Sequence, residues 1–359
     1  MLEVKIKRAL PGFSLDVGFS VDGDILGILG PSGSGKTMTL KCIAGLIQPD
    51  EGLIKLNNRV LFDSSKSLNL SPQVRKVGLV LQNYGLFPHL TASKNIAYGI
   101  RNSTRSEIND RVSVLIEKMG LNGLEHRYPR QLSAGQQQRV AIARALAPGP
   151  EVLLMDEPFS ALDSVTKEQM ELELLGIRDF YKGSIILVTH NLAEAYRLSS
   201  RLAIYESGRI AQCDHKEKII CSPASRKVAK MLKIRNYLDG FVSDISDSSV
   251  WVTIPELNTR LMVSANGRNR LAANQRVTIG VFPDYVRIEE GPGQNALLSS
   301  LDYMNNSVST VNYRFSLKTV SGRGVSIETV LPKSEARFLL PGQECYLYLP
   351  PDHVAVIDS

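Results

Sequence analysis

Apolar and polar positions alternate from the start of the chain. Val4 and Ile6 interleave with Lys5 and Lys7, and Phe13, Leu15, Val17 and Phe19 interleave with polar or small residues. That period of two predicts short strands, with Asp22-Gly23 as a turn before the next one. Residues 25–29 are a continuous apolar run of strand length, and a helix-like segment begins near Met38. Pro49-Asp50-Glu51-Gly52 then turns the chain into a second hairpin around Ile54, Leu56, Val60 and Leu61. A further strand, residues 77–81, ends on Gln82. Between Ser106 and Met119 the apolar residues Ile108, Val112, Leu115, Ile116 and Met119 recur at helical spacing, stopped by Gly120. A second helical stretch runs from Gln136 to Ala147, and Ser133 is placed to cap it. Two more apolar runs, residues 152–155 and 184–189, read as core strands.

Past Arg235 the period changes. Ser249-Val250-Trp251-Val252-Thr253-Ile254 typifies a tail of short alternating strands, so an α/β domain gives way to an all-β one. The tail also repeats itself. Residues 274–286 align without gaps to residues 342–354, with Gln275 on Gln343, Pro283-Asp284 on Pro351-Asp352 and Val286 on Val354. Two copies of a small β-unit are the simplest account.

Composition narrows the classes. A chain of 359 residues with 43% hydrophobic and 22% charged content is long enough for two or three ordinary globular domains. No apolar run approaches the roughly 18–20 residues of a membrane span, and residues 1–8 lack a signal-peptide core, so a soluble, cytoplasmic chain is expected unless a partner holds it elsewhere. Its four cysteines contain no C-x-x-C pair, which argues against zinc and disulfides alike. A net charge of +6 without a dense basic run reads as a solvated surface rather than a nucleic-acid footprint.

Candidate chemistry sits at the strand ends. Gly30-Pro31-Ser32-Gly33-Ser34-Gly35-Lys36-Thr37 matches G-x-x-x-x-G-K-[ST] between a strand and a helix, which is the setting a P-loop requires. Glycines let backbone N–H groups curl around phosphate oxygens, Lys36 can reach the β- and γ-phosphates, and the Thr37 hydroxyl suits Mg²⁺. The strand at 152–155 delivers Asp156 and Glu157 to the same kind of position, one carboxylate for a metal and one to polarise a water. Gln82 and His190 end two further strands, so four strand ends converge on one crevice.

Taken together, residues 1–230 resemble the nucleotide-binding subunit of ABC transporters. Leu132-Ser133-Ala134-Gly135-Gln136 is similar to that family's signature, and Ser160-Ala161-Leu162-Asp163 to its dimer-contacting loop. The resemblance implies a P-loop ATPase domain with a helical subdomain at about 86–150, using ATP and Mg²⁺ as a head-to-tail homodimer. It implies roles residue by residue: Lys36 and Thr37 on phosphates and metal, Asp156 completing the metal shell, Glu157 as general base, His190 on the γ-phosphate. Gln82 would link metal and attacking water to a membrane partner, Ser133, Gly135 and Gln136 would meet nucleotide across the dimer, and Asp163 would align the interface. Three departures stand out. Ala134 and Asn191 occupy positions where the family usually has Gly and Asp, and no Tyr stands where relatives stack adenine. Phe13 is the weak candidate for that stack, its alternation fitting a strand-core residue better.

The tail at 236–359 resembles the tandem oligonucleotide-fold-like (TOBE/MOP-type) barrels of importer ATPases, regulatory or dimerising modules. The run from Leu81 to Thr91, with Asn95-Ile96-Ala97-Tyr98-Gly99, is similar to importer ATPases of the molybdate, sulfate and sugar groups. Tyr84, Leu86 and Phe87 are expected to form an exposed apolar patch for a partner helix. The short N-terminus and the segment from Arg59 to Gln73 favour molybdate or tungstate, with sulfate/thiosulfate or sugar as the alternative. The implied partners are integral-membrane permease subunits and, indirectly, an extracytoplasmic substrate-binding protein, at the cytoplasmic face of the membrane. A non-transport ABC ATPase acting on nucleic acid is disfavoured by the single P-loop and single signature.

Overall fold

A computed structural model of the chain describes residues 1–246, 248–264, 271–322 and 324–358. They form two compact units, Met1–Lys216 and Glu217–Ser359. The division falls ahead of residue 230 because Ala229 and Ile234 pack with Ala355 and Ile357 of the second unit.

The first unit opens with the hairpin of β1 (Leu2–Leu10) and β2 (Phe13–Val21), paired from Leu2↔Val21 to Leu10↔Phe13. After β3 (Ile25–Leu29) and α1 (Lys36–Ala44), a second hairpin follows from β4 (Glu51–Leu56) and β5 (Arg59–Asp63), then β6 (Leu68–Asn69) and β7 (Val77–Val80). A helical stretch holds α2 (Ala92–Ala97), α3 (Arg105–Lys118) and α4 (Ala134–Leu146). Strand and helix then alternate: β8 (Val152–Asp156), α5 (Ser164–Ile177), β9 (Ser184–Thr189), α6 (Leu192–Leu198), β10 (Arg201–Glu206) and β11 (Arg209–His215).

All eleven strands join one sheet in the order β6-β5-β4-β1-β2-β11-β10-β3-β9-β8-β7. From β10 to β7 every neighbouring pair is parallel, so the C-terminal ends of β3, β9, β8 and β7 share one edge. These strands are continuous apolar runs because both faces are covered. Leu26, Ile28, Leu154, Ile186 and Val188 point into the core around α1, and Ile25, Leu153, Met155, Ile185 and Leu187 into the core built on α2 to α5. Arg75, fully buried, ties α1 in place. Its guanidinium donates to Cys42 O, Ile43 O, Leu70 O and Asn69 Oδ1, at 2.8, 2.9, 2.8 and 2.6 Å.

The second unit begins within α7 (Lys216–Cys221) and contains α8 (Arg226–Met231) and β12 (Asn236–Ile245), β13 (Ser249–Ile254), β14 (Thr259–Ser264), β15 (Arg276–Val281), β16 (Arg287–Glu289), β17 (Ala296–Asn306), β18 (Thr310–Leu317), β19 (Val325–Pro332), β20 (Glu344–Tyr348) and β21 (Val354–Asp358). They build two five-stranded antiparallel sheets, β14-β13-β12-β15-β21 and β16-β20-β17-β18-β19, around one shared core. The sequence repeat covers β15 and a 3-10 turn at Pro283–Tyr285 that leads into β16, matched by β20 and a 3-10 turn at Pro351–His353 that leads into β21. Each copy begins in one sheet and ends in the other, in opposite senses. Even the entry turns agree: Gln275 Oε1 accepts from Ala272 N and Gln343 Oε1 from Leu340 N. At equivalent positions of the two copies, Tyr285 and His353 stack with centroids 3.9 Å apart and planes 13° apart.

Candidate functional site

The phosphate-loop motif leaves β3 and enters α1 without a break. Gly33 and Gly35 hold φ of +79° and +99°, values that side-chain-bearing residues rarely adopt. Packing adds a second demand. A Cβ on Gly30 would lie 2.7 Å from Tyr205 O, and one on Gly35 would lie 2.7 Å from Leu15 Cδ1 and 3.1 Å from the Phe13 ring. Phe13 therefore borders the loop while remaining part of the hydrophobic face of β2. Helix α1 starts at Gly35 with no side chain capping it. The next five helices are capped by Thr91, Thr104, Ser133, Asp163 and Asn191. The first-turn N–H groups of α1 are thus left to an anion. Ser34 Oγ, buried and without a protein partner, is a further group suited to one.

Lys36 folds back on the loop, donating to Gly30 O at 2.8 Å and Pro31 O at 2.9 Å. Burial pushes its ammonium below the usual pKa, and the charges of Glu157 and Asp156 partly restore it. Thr37 Oγ1 donates to Asp156 Oδ1 at 2.9 Å. Burial raises the Asp156 pKa, against the pull of that hydrogen bond. A hydroxyl and one carboxylate are hard oxygen donors of the kind Mg²⁺ takes when phosphates supply the rest, so the residues fit the ion.

Glu157 stands one residue beyond β8 with φ +46°, a left-handed conformation that costs a non-glycine residue about 1–3 kcal/mol. Its N–H donates to Val188 O at 2.9 Å, pinning the turn to β9. Its Oε2 lies 3.2 Å from His190 Nδ1, and His190 is 62% exposed while Glu157 is 20% exposed. The imidazole is thus open to a ligand on one side and paired on the other. The structure brings together Lys36, Thr37, Asp156, Glu157 and His190.

The remaining predicted residues lie around this group. Strand β7 ends at Val80, one residue earlier than expected, and Gln82 is exposed in the following turn, on the strand next to β8. Ser133 caps α4 by accepting from Gln136 N at 3.3 Å, while Gln136 Oε1 accepts from Ser133 N at 3.0 Å. Gly135 is buried in the first turn, where a Cβ would lie 3.0 Å from Thr166 Cγ2. Asp163 accepts from Val165 N and Thr166 N, and the Thr166 hydroxyl first, then these backbone bonds, lower its pKa. Asn191 caps α6, a task its amide oxygen does as an Asp would.

One expectation needs correction. Tyr84 is buried, 6% exposed, because the turn after Gln82 carries it inward at φ +61°. The exposed aromatic is Tyr98, 62% exposed, with its ring 4.3 Å from that of Phe87. Two residues to which sequence reading assigned no role of their own, Arg144 and Asn95, build this surface. Arg144 donates to Tyr84 O at 2.8 Å and Gly85 O at 2.7 Å. Asn95, fully buried, binds both backbone groups of Phe87 and the carbonyls of Leu90 and Thr91. A charged residue on the apolar face of a helix, as Arg144 is beside Val140 and Ala141, was the available signal.

Comparison with known proteins agrees with this geometry. Residues 15–160 match the family described as "ABC transporter". The sulfate/thiosulfate import ATP-binding protein CysA of Caulobacter vibrioides is 42% identical over 240 residues, 65% of this chain and 69% of that protein. The spermidine/putrescine import ATP-binding protein PotA of Nitrosospira multiformis is 32% identical over 343 residues, 93% of this chain and 91% of that protein. Among solved structures, a dimeric post-hydrolysis state of an ATP-binding cassette bound to ADP and Pi superposes with a TM-score of 0.51 at 29% identity, covering 60% of this chain and 98% of that one. An uncapped phosphate-loop helix facing Asp156, Glu157 and His190, and near-full-length similarity to an import ATP-binding protein, lead to one conclusion: the chain belongs to the ATP-binding subunits of ABC importers.

Proposed function

We propose that this chain hydrolyses ATP to drive uptake of a tetrahedral oxyanion through a membrane permease, working as a head-to-tail dimer. The observation that carries the hydrolytic reading is the pairing of Thr37 with Asp156 beside the pairing of Glu157 with His190 at one sheet edge. Loop N–H groups and Lys36 would hold the phosphates, Thr37 and Asp156 would hold Mg²⁺, and Gln82 would link the ion and the attacking water to the membrane partner. The ion supplies charge neutralisation on the phosphate oxygens. Glu157 takes the proton of the attacking water, and His190 donates toward the γ-phosphate. Ser133, Gly135 and Gln136 face the nucleotide of the second copy and Asp163 aligns the interface; a dimeric cassette among the solved structures supports the pairing of two copies.

No described helix is long and apolar enough to cross a membrane. Attachment to the cytoplasmic face therefore runs through permease subunits, received by Leu86, Phe87 and Tyr98. Molybdate or tungstate is the cargo favoured by the resemblance of the segment from Arg59 to Gln73. Sulfate/thiosulfate is the second reading, favoured by the relative that carries that name. The tail regulates or dimerises the subunit, as oligonucleotide-fold-like barrels do.

The test is uptake of labelled molybdate, sulfate and spermidine in cells lacking this chain, complemented with the unmutated form or Glu157→Gln. Restoration of molybdate uptake by the active form alone is expected, with the purified Glu157→Gln protein binding ATP but turning over about 10²–10⁴-fold more slowly. Restoration of sulfate or spermidine instead replaces the cargo and keeps the chemistry. Full turnover by Glu157→Gln removes the assigned base.

A further inference from the structure

Two buried carboxylates join α5 to α6, at different distances from the site. Lys167 Nζ lies 2.9 Å from Glu194 Oε2, with Glu194 only 4% exposed, and farther along the same helices Arg197 Nη1 lies 2.7 Å from Glu171 Oε2. The first pair closes a circuit. Ser160 N–H and Oγ–H donate to Glu157 O at 3.2 and 2.9 Å. The loop then reaches Asp163, which caps α5, and Lys167 N donates to Asp163 O at 2.9 Å. Across the ion pair, Glu194 N donates to Asn191 Oδ1 at 3.3 Å, one residue from His190, whose ring returns to Glu157 Oε2. The circuit encloses a cavity of about 130 Å³ lined by Glu157, Ser160, Lys167, Thr189, His190 and Glu194. Glu194 Oε1 makes no hydrogen bond to protein. Burial raises the Glu194 pKa, opposed by Lys167 and Thr189.

We propose that Lys167 and Glu194 are a positioning pair for ATP hydrolysis, fixing the loop 160–163 against His190 so that Glu157 and His190 hold the geometry for attack on the γ-phosphate. The inference rests on the hydrolytic reading above. The pair acts through Glu157 and His190, with which it shares the cavity. A dimer partner pressing on the loop 160–163 is felt at His190 through this pair, which is the physical content of the assignment. The pair of Arg197 and Glu171 joins the same helices outside the circuit and serves stability alone.

The experiment measures ATPase kinetics and thermal midpoints for the full chain carrying Glu194→Gln, Lys167→Met, both together, Arg197→Gln, and Lys36→Ala. Glu194→Gln and Lys167→Met should each lower kcat about 10-fold or more, as misplacement of catalytic groups does, with KM for ATP within about twofold. The double variant should be no worse than either single one, because the pair acts as a unit. Arg197→Gln should lower the thermal midpoint as much and leave kcat unchanged. If Glu194→Gln does not fold, Lys167→Met, altered at the more exposed end, carries the test. Loss of kcat by Arg197→Gln in proportion to its midpoint, or unchanged kcat in Lys167→Met, overturns the proposal. An ATPase indifferent to Lys36→Ala sinks the hydrolytic reading and the proposal with it, whereas a Lys36-dependent one that ignores Lys167→Met sinks only the proposal.

Discussion

Thr37 Oγ1 and Asp156 Oδ1 are 2.9 Å apart although they are 119 positions apart in the chain, Thr37 lying at the start of α1 and Asp156 at the end of β8. Without this hydrogen bond the buried Asp156 carboxylate would have one charge-stabilising donor fewer. Asp156→Asn should therefore lower Mg²⁺-dependent turnover by about 10²-fold or more, the scale of losing one electrostatic stabiliser, while Thr37→Ser, which keeps the hydroxyl, should retain most activity. Mg²⁺ titration of ATPase rate checks both. An Asp156→Asn protein with an unchanged Mg²⁺ response would detach this carboxylate from the metal.

The loop glycines separate strain from packing. Gly33 and Gly35 both have positive φ, but a Cβ on Gly33 meets nothing within 4 Å, whereas one on Gly35 meets Leu15 and Phe13. Gly33→Ala should cost about 1 kcal/mol of stability, the left-handed penalty alone. Gly35→Ala should cost about 2–4 kcal/mol, strain plus overpacking, and also weaken nucleotide binding. Denaturant midpoints and fluorescent-nucleotide titrations measure the two effects, and equal losses would show that packing against β2 is not what demands Gly35.

Arg75 is a cation that reaches carbonyls at the C-terminal end of α1, where a positive charge is favoured. Arg75→Met should strip the guanidinium's donors from Ile43 O, Leu70 O and Cys42 O, the last of which keeps only the Gly45 N–H at 3.1 Å, and destabilise the first unit by about 3 kcal/mol or more. Arg75→Lys should recover little, since an ammonium cannot reproduce the fork. Equilibrium unfolding in urea reports this directly, and a Lys variant as stable as the unmutated chain would contradict it.

Cys42, fully buried beside Arg75, has its thiol pushed up to about 11 by burial, against the pull of Arg8 and Arg75. Below the unfolded value near 9.0 both states hold the proton and the thiol contributes no pH dependence. Between pH 9 and 11 the unfolded chain loses its proton first, so stability should fall as pH rises, by on the order of 2 kcal/mol across the window. Cys42→Ala should lack that component. Parallel slopes for the two proteins in unfolding experiments at pH 8 to 11 would remove the assignment.

Strand ends were legible because a buried parallel strand needs an unbroken apolar run, and the phosphate loop because its glycines are demanded one by one. The 3.6-residue period likewise announced α3, whose apolar positions Val112, Leu115 and Ile116 are buried. What the residues could not disclose depended on distant partners. Tyr84 reads as surface until a left-handed turn carries it inward, and Lys167 with Glu194 reads as two solvated charges until α5 and α6 are side by side. In the tail, a period of two announces strands and says nothing of which sheet receives them. The repeat was visible in Gln275 and Gln343, but its crossing between sheets was not.

That crossing has a consequence for assembly of the C-terminal unit. With β16 lodged in the sheet of the second copy and β21 in that of the first, the two halves are interlocked like an exchanged pair of arms within a single chain. Neither half owns a full set of strands, so a cut near residue 292 yields two fragments that must find each other before either is stable. The repeat therefore carries a folding obligation, since both copies reach their native state together or not at all.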